Sequence, residues 1–177
     1  MVSIDWVAVT GLATVILVIG TLVAEFRSAR REQLISGARA MMDFEKDFES
    51  RSMVDGRKEL SAALLAQVPP WDLPTRVIDF VENIGFLTRR GVVDLEMVWN
   101  RFDAYFLRYY QALFWKHNYM ADFLGKDPAI WENATWLYRN LLAMDCVSRR
   151  IPFAKYAQLL PSADQIKNFL DKESTMP

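Results

Sequence analysis

The run WVAVTGLATVILVIGTLVA, Trp6 to Ala24, holds nineteen residues without a charge, and it constrains everything that follows it. As a helix rising 1.5 Å per residue it reaches about 28 Å, close to the ~30 Å hydrocarbon core of a bilayer. Ten of the nineteen are Val, Ile or Leu. At roughly 0.3 to 0.6 kcal/mol each near the bilayer centre, they favour insertion by about 3 to 6 kcal/mol, partly offset by threonine and glycine. A secretory signal needs a positive leading region and a shorter apolar run, whereas Met1–Asp5 offers only an amino terminus and an acid. The expectation is a retained transmembrane anchor over 6–24, preceded by a short extracytoplasmic tail over 1–5.

Orientation follows from Arg27, Arg30 and Arg31, which stand just after the span while no Lys or Arg precedes it. The positive-inside rule then puts the N-terminus outside the inner (plasma) membrane and the long C-terminal part in the cytoplasm. The competing reading, a buried helix of a soluble core, is disfavoured because the rest of the chain has far less continuous hydrophobicity. Trp6 also stands where an interfacial aromatic belongs.

Beyond the anchor the charges balance: Glu25–Pro177 carries 21 basic and 21 acidic residues. That is poor equipment for nucleic acid, which calls for a basic face. One domain of this length buries roughly two thirds of its unfolded surface, so one core suffices. Cys146 is the single cysteine, which excludes an internal disulfide framework and a Cys-rich zinc site and agrees with a reducing compartment.

Helical periodicity runs through nearly all of the remainder, and no alternating strand pattern stands out. A juxtamembrane helix over 25–53 either continues the anchor or restarts near Ser36-Gly37, and Val54-Asp55-Gly56 is expected to interrupt it. A shorter helix follows from Arg57 to Gln67, closed by Pro69-Pro70. Asp72 and Pro74 open the next, RVIDFVENIGFLTRRG, with Gly91 as its stop. Asp94 caps a long helix to about Leu124, and Asp127-Pro128 starts another to about Arg150. Ser162 and Gln165 form a capping box for a last helix from Ala163 to about Lys172. The expected fold is therefore all-α: one N-terminal transmembrane helix and a cytoplasmic up-and-down helical bundle over 54–177. Ten of the 23 aromatic residues fall between Leu95 and Leu124 and occupy most of the helical wheel, which places that helix at the centre.

The charge-free span, the segment VIDFVENIGFLTRRGVVDLEMVWNRF, the aromatic helix and the segment IWENATWLYRNLL together resemble a bacterial family of membrane-anchored all-helical proteins, classed as a domain of unknown function. Its acid-containing pattern falls on Phe80, Glu82, Ile84, Gly85, Leu87, Gly91 and Asp94, within a similarity over about Thr75 to Leu142. The resemblance implies a fold and a membrane-associated location and supplies no catalytic residue.

Candidate chemistry is sparse. His117, the sole histidine, shares the most apolar face of its helix with Trp99, Phe106 and Leu113, and reads as a partly buried imidazole satisfied by one hydrogen bond. Paired-histidine metal sites are excluded within one chain, and neither a metal nor a cofactor is expected. Asp145 shares a face with Ala134, Tyr138 and Leu141; an ion pair with Arg101 or Arg108 is the expected compensation. Asp79, Glu82 and Asn83 make a polar stripe with Phe86 inside it, which is either the solvated side of the helix or an interface for a protein partner. Arg89-Arg90 and Arg149-Arg150 stand at helix C-termini, where cations complement the dipole. Cys146, on the side of its helix away from the apolar face, reads as a surface thiol. No phosphate loop, GxGxxG, HExxH or GxSxG occurs. The functional expectation is a non-enzymatic interaction or scaffold module held at the lipid bilayer, with an unidentified protein partner and a homo-oligomer as an option. The alternative is a membrane-acting effector whose anchors assemble on a signal, and an enzyme of unassigned reaction comes third.

Overall fold

The structure of the protein, a computed structural model, describes residues 6–115, 119, 127 and 129–177, with side chains from Leu17 onward apart from Trp115. His117, the expected end of the long helix at Leu124 and the tail Met1–Asp5 lie outside the described residues. Among the described residues there are six α-helices and no strand, so the chain is all-α. They are α1 (Trp6–Phe48), α2 (Arg51–Ala66), α3 (Arg76–Arg89), α4 (Leu95–Trp115), α5 (Glu132–Ser148) and α6 (Ala163–Ser174). Short 3-10 helices cover Pro70–Asp72 and Phe153–Leu159. No helix among the described residues is long and apolar enough to cross a membrane.

Helix α1 continues without a restart through Ser36-Gly37, and its 43 residues make a rod of about 65 Å. From residue 17 to 36 every side chain is exposed. The packed part begins at Gly37, where a Cβ would stand 2.9 Å from the Val92 carbonyl oxygen, so only glycine permits this approach to the α3–α4 turn. Met41, Phe44 and Phe48 follow in the core.

The expected break at Val54-Asp55-Gly56 is not there. The chain turns instead at Glu49-Ser50, where Ser50 caps α2 by accepting a bond from the Met53 amide at 3.2 Å. Gly56 is tolerated inside α2 because the space above it is filled by the Arg76 side chain, 2.9 Å from where a Cβ would lie. That close packing answers the roughly 1 kcal/mol helix penalty of glycine, which a composition-based break signal cannot foresee.

The core is centred on α4. Phe102 and Phe106 stack at 5.0 Å, and Phe80 of α3 and Phe48 of α1 close around them. Helices α4 and α5 are antiparallel, as Trp99 meets Asp145 and Tyr110 meets Thr135. The other principal neighbours are not sequential: α3 packs mainly on α5, and α2 mainly on α6. Helix α5 starts at Glu132 rather than at Pro128, since Asp127 turns back to the Ala129 amide at 2.9 Å and Trp131 takes a left-handed backbone, φ 54°. At the other end, the capping box of Ser162 and Gln165 forms as expected.

Candidate functional site

The motif helix α3 is the natural place to look for a site, and its polar stripe does not face solvent along its whole length. Glu82 reaches across to the start of α5. Its Oε2 accepts the Ala134 amide at 2.7 Å, and its Oε1 accepts the Asn133 side-chain amide at 2.7 Å and the Asn133 backbone amide at 3.3 Å. Asp79 accepts the Trp131 indole N–H at 3.2 Å. Trp131, the residue before α5, offers no side-chain cap of its own. The exposed N–H groups of that helix terminus, which carry the positive end of its dipole, are thus met by a carboxylate from another helix.

The rest of the motif serves the same junction. At Gly85 a Cβ would collide with the Asn133 carbonyl, so glycine is what lets α3 and α5 approach. Ile84 is fully buried, and Gly91 takes φ +72° to end α3. Asp94 accepts the Glu96 amide at 2.8 Å at the start of α4. Asn83 and Phe86 stay exposed, Phe86 at 43%, with the Arg90 guanidinium 5.4 Å from its ring centre. Of the four residues read as one stripe, Asp79 and Glu82 are engaged within the chain. Asp79, despite its bond, stays exposed together with Asn83 and Phe86, and Glu82 is half-buried.

Asp145 is buried, but neither Arg101 nor Arg108 reaches it. Trp99 Nε1 donates to it at 2.9 Å, and Arg149, the residue that follows the last turn of α5, lies at 3.7 Å. Arg101 pairs with Glu45 at 2.8 Å, and Arg108 lies over the Phe169 ring at 5.6 Å. The pairing differs because the register between α4 and α5 sets Trp99 opposite Asp145 and Tyr110 opposite Thr135. Cys146 is buried at 3% exposure rather than at the surface, because α5 packs on several sides at once.

Beside Asp145 lies a cleft of about 510 Å³, bounded by α4, α5, the segment after α5 and α6. Asp103, Arg108, Arg149 and Lys172 line it together with Asp145. Burial pushes the Asp103 carboxyl above its ordinary range and the charge of Asp145 adds to this; the Ala104 amide, Arg149 and Arg108 offset part. Charges of both signs therefore meet there, as at a salt-bridged junction.

A buried polar cluster that no sequence signal marks ties α6 to α2 and α4. Tyr109 donates to Glu173 Oε2 at 2.6 Å, and Arg57 Nε lies 3.6 Å from the same oxygen. The Arg57 guanidinium rests on the Phe48 ring at 4.3 Å. Burial first, and then the neighbouring Glu173 carboxylate, push the Tyr109 hydroxyl well above its ordinary pKa, so it stays a proton donor. The Ser61 hydroxyl, wholly buried nearby, and the Arg57 charge offset part of that rise. No spacing rule links Arg57 to Glu173, and only their mutual burial reveals them. Among the described residues no group of three or more His, Cys, Asp or Glu is placed to hold a metal ion.

Comparison with protein families, with curated proteins and with solved structures finds no match to this chain.

Proposed function

We propose that the chain is a membrane-anchored interaction module, with 6–24 spanning the inner membrane once and the helical domain held in the cytoplasm. The observation that carries this reading is the division of α1. Its C-terminal part is built into the core through Met41, Phe44 and Phe48, while Leu17, Ile19, Leu22 and Val23 are exposed with nothing of the domain against them. Described side chains begin at Leu17, so they include only the second part of the uncharged run; the first part contributes through its sequence. Arg27, Arg30 and Arg31 follow directly and set the orientation.

The motif residues support a non-enzymatic role, since Glu82, Gly85, Gly91 and Asp94 each have an architectural task. The partner-facing surface then contracts to Asn83, Phe86 and Arg90, an exposed aromatic ring with a cation over it, of the kind enriched where proteins recognise one another.

Fusions after Pro177 test the reading. A reporter active only in the cytoplasm is expected to work and one active only outside to fail, with the chain resisting alkaline extraction from membranes. The reverse reporter pattern, or release by alkali, overturns it.

A further inference from the structure

We infer that a second copy of this chain pairs in parallel along the outward face of α1, through Thr21, Ala24, Ser28, Ile35, Ala38 and Met42. The parallel direction rests on the anchor reading, because two copies inserted in one bilayer with one orientation carry their α1 helices the same way.

The face is defined by what the domain already occupies. At 100° per residue, Gly37, Met41, Phe44 and Phe48 point to one side of α1, and Gln33 on that side donates to the Gly91 carbonyl at 2.6 Å. Phe26 shares this side, so a partner helix lying on it runs into the α3–α4 turn as soon as it reaches Gln33. From Leu17 onward the opposite side is open. Ser28, Ile35 and Met42 recur there every seven residues and drift by only about 20° per step. Ile35 is 54% exposed and Met42 is 69% exposed, two large apolar side chains on a helix face that no described residue covers. Thr21 continues the seven-residue series, and Ala24 and Ala38 fill the intervening seam positions, where small side chains let two helices approach.

Charge selects a second copy of this chain as the occupant. In a parallel pair with Ile35 and its repeats on the seam, Arg27 flanks one edge and Glu32 the other, so Arg27 of one copy meets Glu32 of the other, twice by symmetry. Neither has a partner among the described residues of its own chain. Among the described residues no ion pair includes them, and no residue three or four positions away from either carries the opposite charge. Arg31 falls in the seam as well, where Glu32 of the second copy offsets the approach of two like charges.

Disulfide cross-linking of the full chain in membranes tests this. Single cysteines are placed on the seam, Ile35→Cys and Met42→Cys, and off it at exposed positions, Ala29→Cys and Ser36→Cys. The unmodified chain, with only the buried Cys146, serves as the blank. Under mild oxidation the seam positions are expected to give at least about fivefold more cross-linked dimer, since a disulfide needs Cα atoms within about 7 Å. Arg27→Glu or Glu32→Arg alone should lower the Met42→Cys yield about three- to tenfold, and the double exchange should restore it. Equal yields at all four positions, or single and double exchanges that behave alike, overturn the pairing. Alkaline extraction of the same membranes reports the anchor separately. A chain released by alkali refutes the anchor, and the cysteine pattern still decides the pairing.

Discussion

Replacing Glu82 by alanine probes the junction on which the α3 and α5 packing depends. The substitution strips the start of α5 of its acceptor for the Ala134 amide at 2.7 Å and for both amides of Asn133. A helix cap is worth about 1 kcal/mol, and a hydrogen bond to a charged group contributes about 1.5 to 3 kcal/mol where it is sheltered. Glu82 is only half-buried, so water replaces part of the loss, and the expected cost is about 2 to 3 kcal/mol. For a chain of this size that lowers the melting temperature by roughly 5 to 10 °C. Thermal unfolding of the full chain in detergent, followed by far-ultraviolet circular dichroism, reads the shift. Glu82→Gln keeps an acceptor oxygen and loses the charge, so it should fall between the two. Phe86→Ala, at an exposed ring, should move the midpoint by less than about 2 °C. If Glu82→Ala melts within a degree of the parent, the carboxylate does not cap α5, and the motif does not hold α3 to α5.

Glu173→Ala leaves the Arg57 guanidinium buried without its carboxylate and should cost about 3 to 5 kcal/mol in denaturant unfolding, with Arg57→Met in the same chain recovering a large part. Gly85→Ala forces a methyl group into the Asn133 carbonyl and should cost about 1 to 3 kcal/mol by the same measurement. Asp103 has a folded pKa above its unfolded one, so its contribution is fully present below the unfolded value and is lost as pH rises through the folded value. Asp103→Asn should therefore be the more stable protein at neutral pH, with the gain vanishing in acid, as denaturation midpoints across that range would show. Neutralising Arg27, Arg30 and Arg31 together should weaken or scramble the orientation seen by the two reporters.

Most helices were legible because their signals are local. Gly91, Asp94 and the Ser162–Gln165 box act within a few residues of where they stand, and each does what its type and spacing imply. The roles of Glu82 and Asp79 were not legible, because a carboxylate that caps its own helix and one that caps a helix more than fifty residues away look alike in a sequence. Asp145 shows the same limit. Its burial followed from the helical wheel, but its partner depended on the register between α4 and α5, and Trp99 emerged where an arginine was expected. The Gly56 break failed for a related reason, since the Arg76 side chain that fills its space comes from another helix.

The cluster that ties α6 to the rest of the domain has a consequence for how the chain is made. Arg57 and Met176, whose sulfur lies 3.6 Å from the guanidinium, are 119 residues apart, an interval that takes a ribosome roughly 6 to 24 s at 5 to 20 residues per second. Throughout that time the α2 surface that α6 will cover is complete but unmet, and Arg57 must stay hydrated. On the proposed anchor, α1 would by then already hold the nascent chain at the bilayer. Paired as proposed along α1, two copies would share the same vacancy, and exchange of α6 between them is the misassembly such an arrangement would invite.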